Sequence, residues 1–386
     1  MSRQLVLFGS GETTPAMVTL HRELFGKLGP VDPSSALLID TTYGFQTNAD
    51  DLSARVRGYF EESTGTNIGE VRLRSAGVSA AEVAAALDAV ASARWVFAGP
   101  GSPTYTARQW LAVGMQRSLL RVLERGMLVT ASAAAMSLGS HVMPVYEMYR
   151  VGEDPHWQPG LDVIGTSIGV KAAVIAHFDN TEGGTHDTRF CFAGEERFAR
   201  LVSMLPHDTG VIGIDEHTAA LFDLDAELVS VSGRGGLTLR APGGQAETVV
   251  TAGDSIDLAD LRALFVPADA KQQSATEADV EAAIAKIEQL LESHSYIAAV
   301  DLLLELDEQG VDHMLIRPLV VRMGKFATGD AASQEQVGRL LQLIIELRAS
   351  ARADKRWADA DVIRDRLAAM GVTLSDGPEG TTWSTN

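Results

Sequence analysis

Apolar positions change their spacing once along this chain. Up to about residue 265, short apolar runs rich in β-branched residues alternate with stretches of helical period. The runs at 5–8, 36–39, 71–73, 95–98, 127–131, 170–175 and 210–214 predict strands. Between them, Pro15 can start a helix, another begins near Asn48, one covers 80–90, helical segments lead to Arg125, and a last one covers about 195–205. Strands alternating with helices imply an α/β fold with a mostly parallel sheet flanked by helices and right-handed crossovers. Antiparallel hairpins then run through Leu239, with turns expected at Gly233 and at Gly235-Gly236. A polar stretch without periodicity around 267–276 reads as a linker. Beyond it the clearest helices are 277–291, 296–306, 334–351 and 357–370, so the second unit, 277–386, reads as a small all-α domain after an α/β domain over 1–266.

In parallel sheets ligands bind beyond the carboxyl ends of the strands, and several polar groups fall there. The run Met127-Leu128-Val129-Thr130-Ala131 ends on Ser132, followed by Ala133-Ala134-Ala135. A strand, an abrupt turn and a helix among small residues can push a serine hydroxyl out as a nucleophile; the same residues also suit an ordinary helix-capping serine. Thr130 and Ala134 stand where such a turn commonly has glycines. A base and an orienting acid are available at two other strand ends, His177 and Glu216, with Asp215 beside the latter. For an oxyanion hole, the Ala133 N–H is the natural first donor. The second would come from Gly99-Pro100-Gly101, and because Pro100 has no N–H it falls to Gly101.

Gly9 and Gly11 fit either an anion cradle or a tight turn into a helix. The loop-like, aromatic stretch 141–160 reads as a substrate wall or a packed lid. Substrate-lining candidates are Ser102, Tyr146, Asn180, Glu182, His186, Asp187 and His217. The same imidazoles and carboxylates could hold Zn²⁺ or Mn²⁺, or simply hydrogen-bond their loops; no helix-face pair of histidines selects the metal, so no metal and no cofactor is expected.

A formal charge of −19 argues against general binding to nucleic acid or anionic membrane. Cys191 is the single cysteine, which rules out an internal disulfide and suits a reducing cytoplasm; it reads as a small half-buried residue rather than a reactive thiol. The N-terminus reads as a first strand rather than a signal peptide, and no apolar run reaches the ~20 residues of a membrane span.

Two resemblances carry these readings further. The glycine turn at 99–101, the small-Ser-small run at Ser132, His177-Phe178 after a strand and Gly213-Ile214-Asp215-Glu216-His217-Thr218-Ala219 together resemble the cyanophycinase and aspartyl dipeptidase family. These are serine peptidases on the class I glutamine-amidotransferase-like fold, with flavodoxin-like layering. The similarity covers roughly 1–265 and implies Ser132 as nucleophile, His177 as base and Glu216 as acid. It also implies a small-molecule or peptide substrate and allows a homodimer. Three departures separate this chain from the family pattern: Ala131-Ser132-Ala133-Ala134-Ala135, Gly99-Pro100-Gly101-Ser102, and Asp179-Asn180-Thr181-Glu182-Gly183-Gly184 in place of an arginine-rich stretch. Cyanophycin and Asp-terminal peptides are therefore disfavoured as substrates.

The tail, about 345–384, resembles the C-terminal end of cysteinyl-tRNA synthetase. The resemblance implies weak tRNA contact, with Arg352, Lys355, Arg356 and Arg364 on phosphates and Trp383 on a base. Against strong backbone binding, 271–386 holds 12 Lys+Arg and 19 Asp+Glu. The synthetase's catalytic half is missing, so aminoacylation is not expected. The function expected is a serine hydrolase, peptidase or amidase, acting on an amide or ester; the alternative is a non-catalytic or tRNA-associated adaptor.

Overall fold

The structure, a computed structural model, describes residues 2–267 except 245, then 277–292, a few positions between 295 and 302, and the segments 372–377 and 380–385. The chain divides into two compact units, Met1–Lys271 and Gln272–Asn386.

Unit 1 contains, in chain order, β1 (Gln4–Phe8), β2 (Ala36–Ile39), β3 (Gly69–Val71), β4 (Trp95–Ala98), β5 (Met127–Ala131), β6 (His141–Val142) and β7 (Gln158–Pro159). These are followed by β8 (Ala172–Ile175), β9 (Gly210–Ile214), β10 (Thr218–Asp223), β11 (Leu228–Gly233), β12 (Gly236–Arg240), β13 (Glu247–Thr251) and β14 (Ser255–Asp257). An eight-stranded sheet runs in the order β14-β11-β10-β1-β5-β4-β2-β3. Its half from β1 to β3 is parallel, and β10, β11 and β14 extend it antiparallel. A second sheet, β13-β12-β9-β8, keeps β8 and β9 parallel.

Apart from Gln4 in β1, Glu70 in β3 and Thr130 in β5, the parallel strands of this sheet carry no polar side chains, because both faces of the sheet are covered. In β1, Leu5 and Leu7 face one core while Val6 and Phe8 face the other. In β4, Val96 and Ala98 divide from Trp95 and Phe97 in the same way. The second core is aromatic: Phe60 lies edge-on to Trp95 and Phe97 at 4.9 and 5.3 Å between centroids, and the fully buried His21 stacks on Phe8 at 5.4 Å.

Two readings of the pattern shift in unit 1. The hairpins exist, but their turns fall elsewhere: β10 pairs with β11 and β12 with β13, while Gly233 and Gly235-Gly236 carry the chain from one sheet to the other. The stretch 141–160 is not plain loop, since β6 pairs antiparallel with β7 and a wide helical turn covers Glu147–Val151.

In unit 2, a helix covers Glu277–Glu292, with Ile287, Leu291 and Ala299 buried together. The helices read over 334–351 and 357–370 lie outside the described residues, as does most of 296–306. The all-α reading does not extend to the end of the chain: β15 (Val372–Gly377) and β16 (Gly380–Thr385) form an antiparallel hairpin. Val372, Thr373, Thr381, Thr382 and Thr385 supply β-branched residues to its two strands, and Gly377 and Gly380 stand at their inner ends.

Candidate active site

Ser132 follows β5 directly and precedes a short helix, Ala133–Ser137. Its backbone stands at φ 50°, ψ −114°, a region that costs a residue with a side chain on the order of 1–3 kcal/mol. The turn is fixed from both sides: Ser132 N–H donates to the Phe8 carbonyl at 3.0 Å, and Met136 N–H donates to the Ser132 carbonyl at 3.0 Å. Alanines at 133–135 are buried to 1% exposure or less, so larger side chains would not fit behind the turn. Of the two readings of Ser132, the strained turn is the one observed: its side chain makes no capping bond to the helix.

Instead, Ser132 Oγ lies 2.9 Å from His177 Nε2. On the far side of the ring, Nδ1–H donates to Glu216 Oε1 at 2.7 Å, which leaves Nε2 as the acceptor facing the hydroxyl. His177 and Glu216 follow the adjacent parallel strands β8 and β9, so their carriers are neighbours in the second sheet. Both side chains remain about a fifth exposed, at 21% and 23%, open to a ligand yet partly shielded from water.

Burial pushes the Glu216 carboxyl upward, but the hydrogen bonds from His177 and Asn180 outweigh it, and the group stays below the usual carboxylate range. Asn180, expected to line substrate, is 1% exposed and donates through Nδ2 to the same Glu216 oxygen at 3.0 Å. Asp179 accepts the Glu216 N–H at 2.7 Å. Asp215 faces the other way, accepting Gly236 N–H at 2.7 Å, and burial raises its carboxyl.

The glycine turn after β4 lies against Thr42: a methyl built on Gly101 would overlap the Thr42 carbonyl oxygen, so glycine is required by close approach. Ser102 N–H donates to that same carbonyl at 3.0 Å. The Ser102 side chain is buried and accepts Tyr105 N–H at 3.1 Å as a helix cap. Tyr146, 46% exposed, donates through its hydroxyl to the Gly101 carbonyl at 3.3 Å.

The remaining expected lining residues spread along the loops. His217 N–H donates to Ser10 Oγ at 3.2 Å, and its ring fills the space beside Gly11. The Gly9-Gly11 turn thus serves close packing of β1 against the polar end of β9. Glu182 is exposed, with its N–H on Asn180 Oδ1 at 3.2 Å. His186 stacks on Tyr149 at 6.0 Å. Asp187 pairs with Arg189 at 2.8 Å and accepts Glu195 N–H at 2.9 Å, which holds its carboxyl far below the ordinary range. No group of three or more His, Cys, Asp or Glu side chains among the described residues is placed to hold a metal ion. Cys191 is buried, which pushes its thiol up to about 12, so it is not a thiolate.

Sequence reasoning did not single out Phe192, Tyr149 or Glu12. Glu12 is 6% exposed; burial raises its carboxyl, and the nearby His177 and His217 pull it partly back. Asn180 and Asp179 were visible only as polar residues after a strand, with nothing to mark them as supports of Glu216.

Comparison with known proteins relates the fold of unit 1 and the tail of the chain to different proteins. Unit 1 has the fold of a solved peptidase from an acI-B1 Actinobacterium: 23% identity, a TM-score of 0.52, and coverage of 67% of this chain and 97% of that one. Residues 343–383 match the family described as the cysteinyl-tRNA ligase anticodon binding domain. The cysteine–tRNA ligase of Vibrio vulnificus is 50% identical over 58 residues, 15% of this chain and 12% of that enzyme. The enzyme of Cutibacterium acnes is 30% identical over 188 residues, 48% of this chain and 35% of that enzyme. The chain therefore spans 12% and 35% of the lengths of these two relatives. Both resemblances read from motifs, the peptidase-like first domain and the synthetase-like tail, are met. No helix among the described residues is long and apolar enough to cross a membrane.

Proposed function

We propose that unit 1 is a serine hydrolase, a peptidase or amidase acting on an amide or ester through Ser132, His177 and Glu216. The observation that carries this is the continuous chain from Ser132 Oγ through the imidazole to Glu216, at 2.9 and 2.7 Å, with the serine held in a strained turn. Ser132 Oγ attacks the carbonyl carbon as its proton passes to His177 Nε2, and the carbonyl electron pair moves onto oxygen. The Ala133 and Gly101 N–H groups hold that oxyanion. When it collapses, the carbon–nitrogen or carbon–oxygen bond breaks and Nε2–H protonates the departing atom. Water then repeats the sequence on the acyl-enzyme. Glu216, ionised at neutral pH and kept in place by Asn180 and Asp179, stabilises the imidazolium. Hydrolysis of amides, esters or short peptides by the full chain, abolished in Ser132→Ala, is the expected result; equal turnover by that variant would remove the assignment.

A second reading concerns the tail and is supported by the anticodon-binding match over 343–383. In it the segment makes a weak, salt-dependent contact with tRNA through Arg352, Lys355, Arg356 and Arg364, residues outside the described ones, and through Trp383 on β16. Titration of tRNA into the full chain at low and high salt tests it. Absence of binding at low salt would leave the segment a protein-contact module.

A further inference from the structure

Resting on the hydrolase reading, we infer that unit 1 holds an aromatic subsite beside His177, which takes a flat apolar or aromatic group on the departing side of the scissile bond. The Phe192 ring lies 6.4 Å from the imidazole, and Tyr149 lies 4.9 Å from Phe192. His186 stacks on Tyr149 at an interplanar angle of 22°, and Arg150 sits over the Tyr149 ring at 4.9 Å. Phe192 and Tyr149 are half-buried and His186 is exposed, so the ladder of rings runs from the base out to solvent.

The wall is held at a conformational cost. Phe190, Cys191 and Phe192 stand consecutively at φ 57°, 54° and 68°, left-handed backbone that bulky residues rarely adopt. Hydrogen bonds fasten this turn to the base: Phe190 N–H donates to the Phe178 carbonyl at 2.8 Å, and Cys191 N–H donates to the His177 carbonyl at 3.0 Å. The opposing segment is anchored too. Tyr146 bonds the Gly101 carbonyl, and Glu147 accepts the Thr104 hydroxyl at 3.1 Å. One short stretch, 146–149, thus touches the glycine turn and presents Tyr149 to Phe192.

Chemistry assigns the occupant's side. His177 Nε2 must hand its proton to the departing atom, so the departing group lies against the imidazole and meets these rings. Aromatic rings favour edge-on or offset partners at 4.5–7 Å, spacing this ladder can offer a further ring. Arg189 of the same turn is committed to Asp187 and Glu195 at 2.8 and 3.2 Å, so the cation that borders the ladder is Arg150, over the Tyr149 ring.

The test uses N-acetyl-alanyl compounds with phenylalaninamide, leucinamide or glutamic acid amide as departing groups. Wild type should favour phenylalaninamide over leucinamide about tenfold in kcat/KM, with glutamic acid amide as the non-aromatic, charged comparison. The Phe/Leu ratio should fall to about one in Phe192→Leu and in Tyr149→Ala, the second keeping the test open if the strained turn fails to fold. Protection of Ser132 from a fluorophosphonate by each free departing group should rank them identically without turnover. Labelled protein with no ring preference, or with unchanged ratios in the variants, overturns the subsite alone. Protein that is neither labelled nor active overturns the hydrolase reading and the subsite with it.

Discussion

Ser132 occupies a backbone conformation that only the surrounding hydrogen bonds and alanines maintain. Strain of this kind aims the hydroxyl at His177, so Ser132→Ala is expected to lower activity by roughly 10³-fold or more while leaving the fold intact, checked by kcat and circular dichroism. Glu216→Gln keeps the shape but removes the charge proposed to stabilise the imidazolium; a fall in kcat of roughly 10²–10⁴-fold is expected. His21 makes a different prediction. It is fully buried among aromatic rings, donates through Nε2 to the Glu12 carbonyl at 2.8 Å, and its pKa is lowered to about 4 by burial. The unfolded chain binds this proton near pH 6.5 and the folded chain only near pH 4, so stability is full above 6.5 and declines as pH falls between those values. The loss is on the order of 3 kcal/mol, and Tm measured from pH 7 to 4 should drop less steeply in His21→Leu. At this scale Ser132, His177 and Glu216, the residues proposed as nucleophile, base and acid, stood out because each follows a strand. Asn180 did not, because a polar residue after a strand looks the same whether it faces substrate or, as here, turns inward to a carboxylate.

Elements carry the site through packing rather than through their own propensities. Phe60 closes the aromatic core beneath β2, β4 and β1, and Phe60→Ala should cost roughly 3–5 kcal/mol in denaturant unfolding. Gly101→Ala would push the turn away from the Thr42 backbone and should lower stability; with the proposed oxyanion donor displaced by even about 1 Å, kcat of the protein that remains folded is expected to fall roughly 100-fold. Most of the parallel strands were plain in the sequence, since burial on both faces leaves apolar runs; β3, with Glu70 at its centre, lies at Gly69–Val71 rather than at the 71–73 expected. The hairpin turns were not plain. Gly233 and Gly235-Gly236 carry the usual signature of a tight turn, yet here they serve a change of sheet, and which strand pairs with which is decided by long-range contacts that local residues do not encode. The left-handed turn at 190–192 had no signal either, because bulky residues ordinarily avoid that backbone.

At the scale of the whole chain, an α/β unit with a peptidase's fold precedes a segment matching an anticodon-binding domain. The charge of −19 limits any tRNA contact to a modest, local one. On the proposed tRNA contact, Arg356→Ala should reduce the log–log salt slope of tRNA binding by about one, whereas Trp383→Ala should weaken binding without changing that slope. The most direct measurement is labelling of the purified full chain by a fluorophosphonate, with the modified residue located by peptide mass spectrometry. Adduct on Ser132, absent in Ser132→Ala and reduced in Glu216→Gln, is the expected result. A folded wild-type protein that takes up no label, or takes it up at another residue, would contradict the assignment of Ser132 as an activated nucleophile.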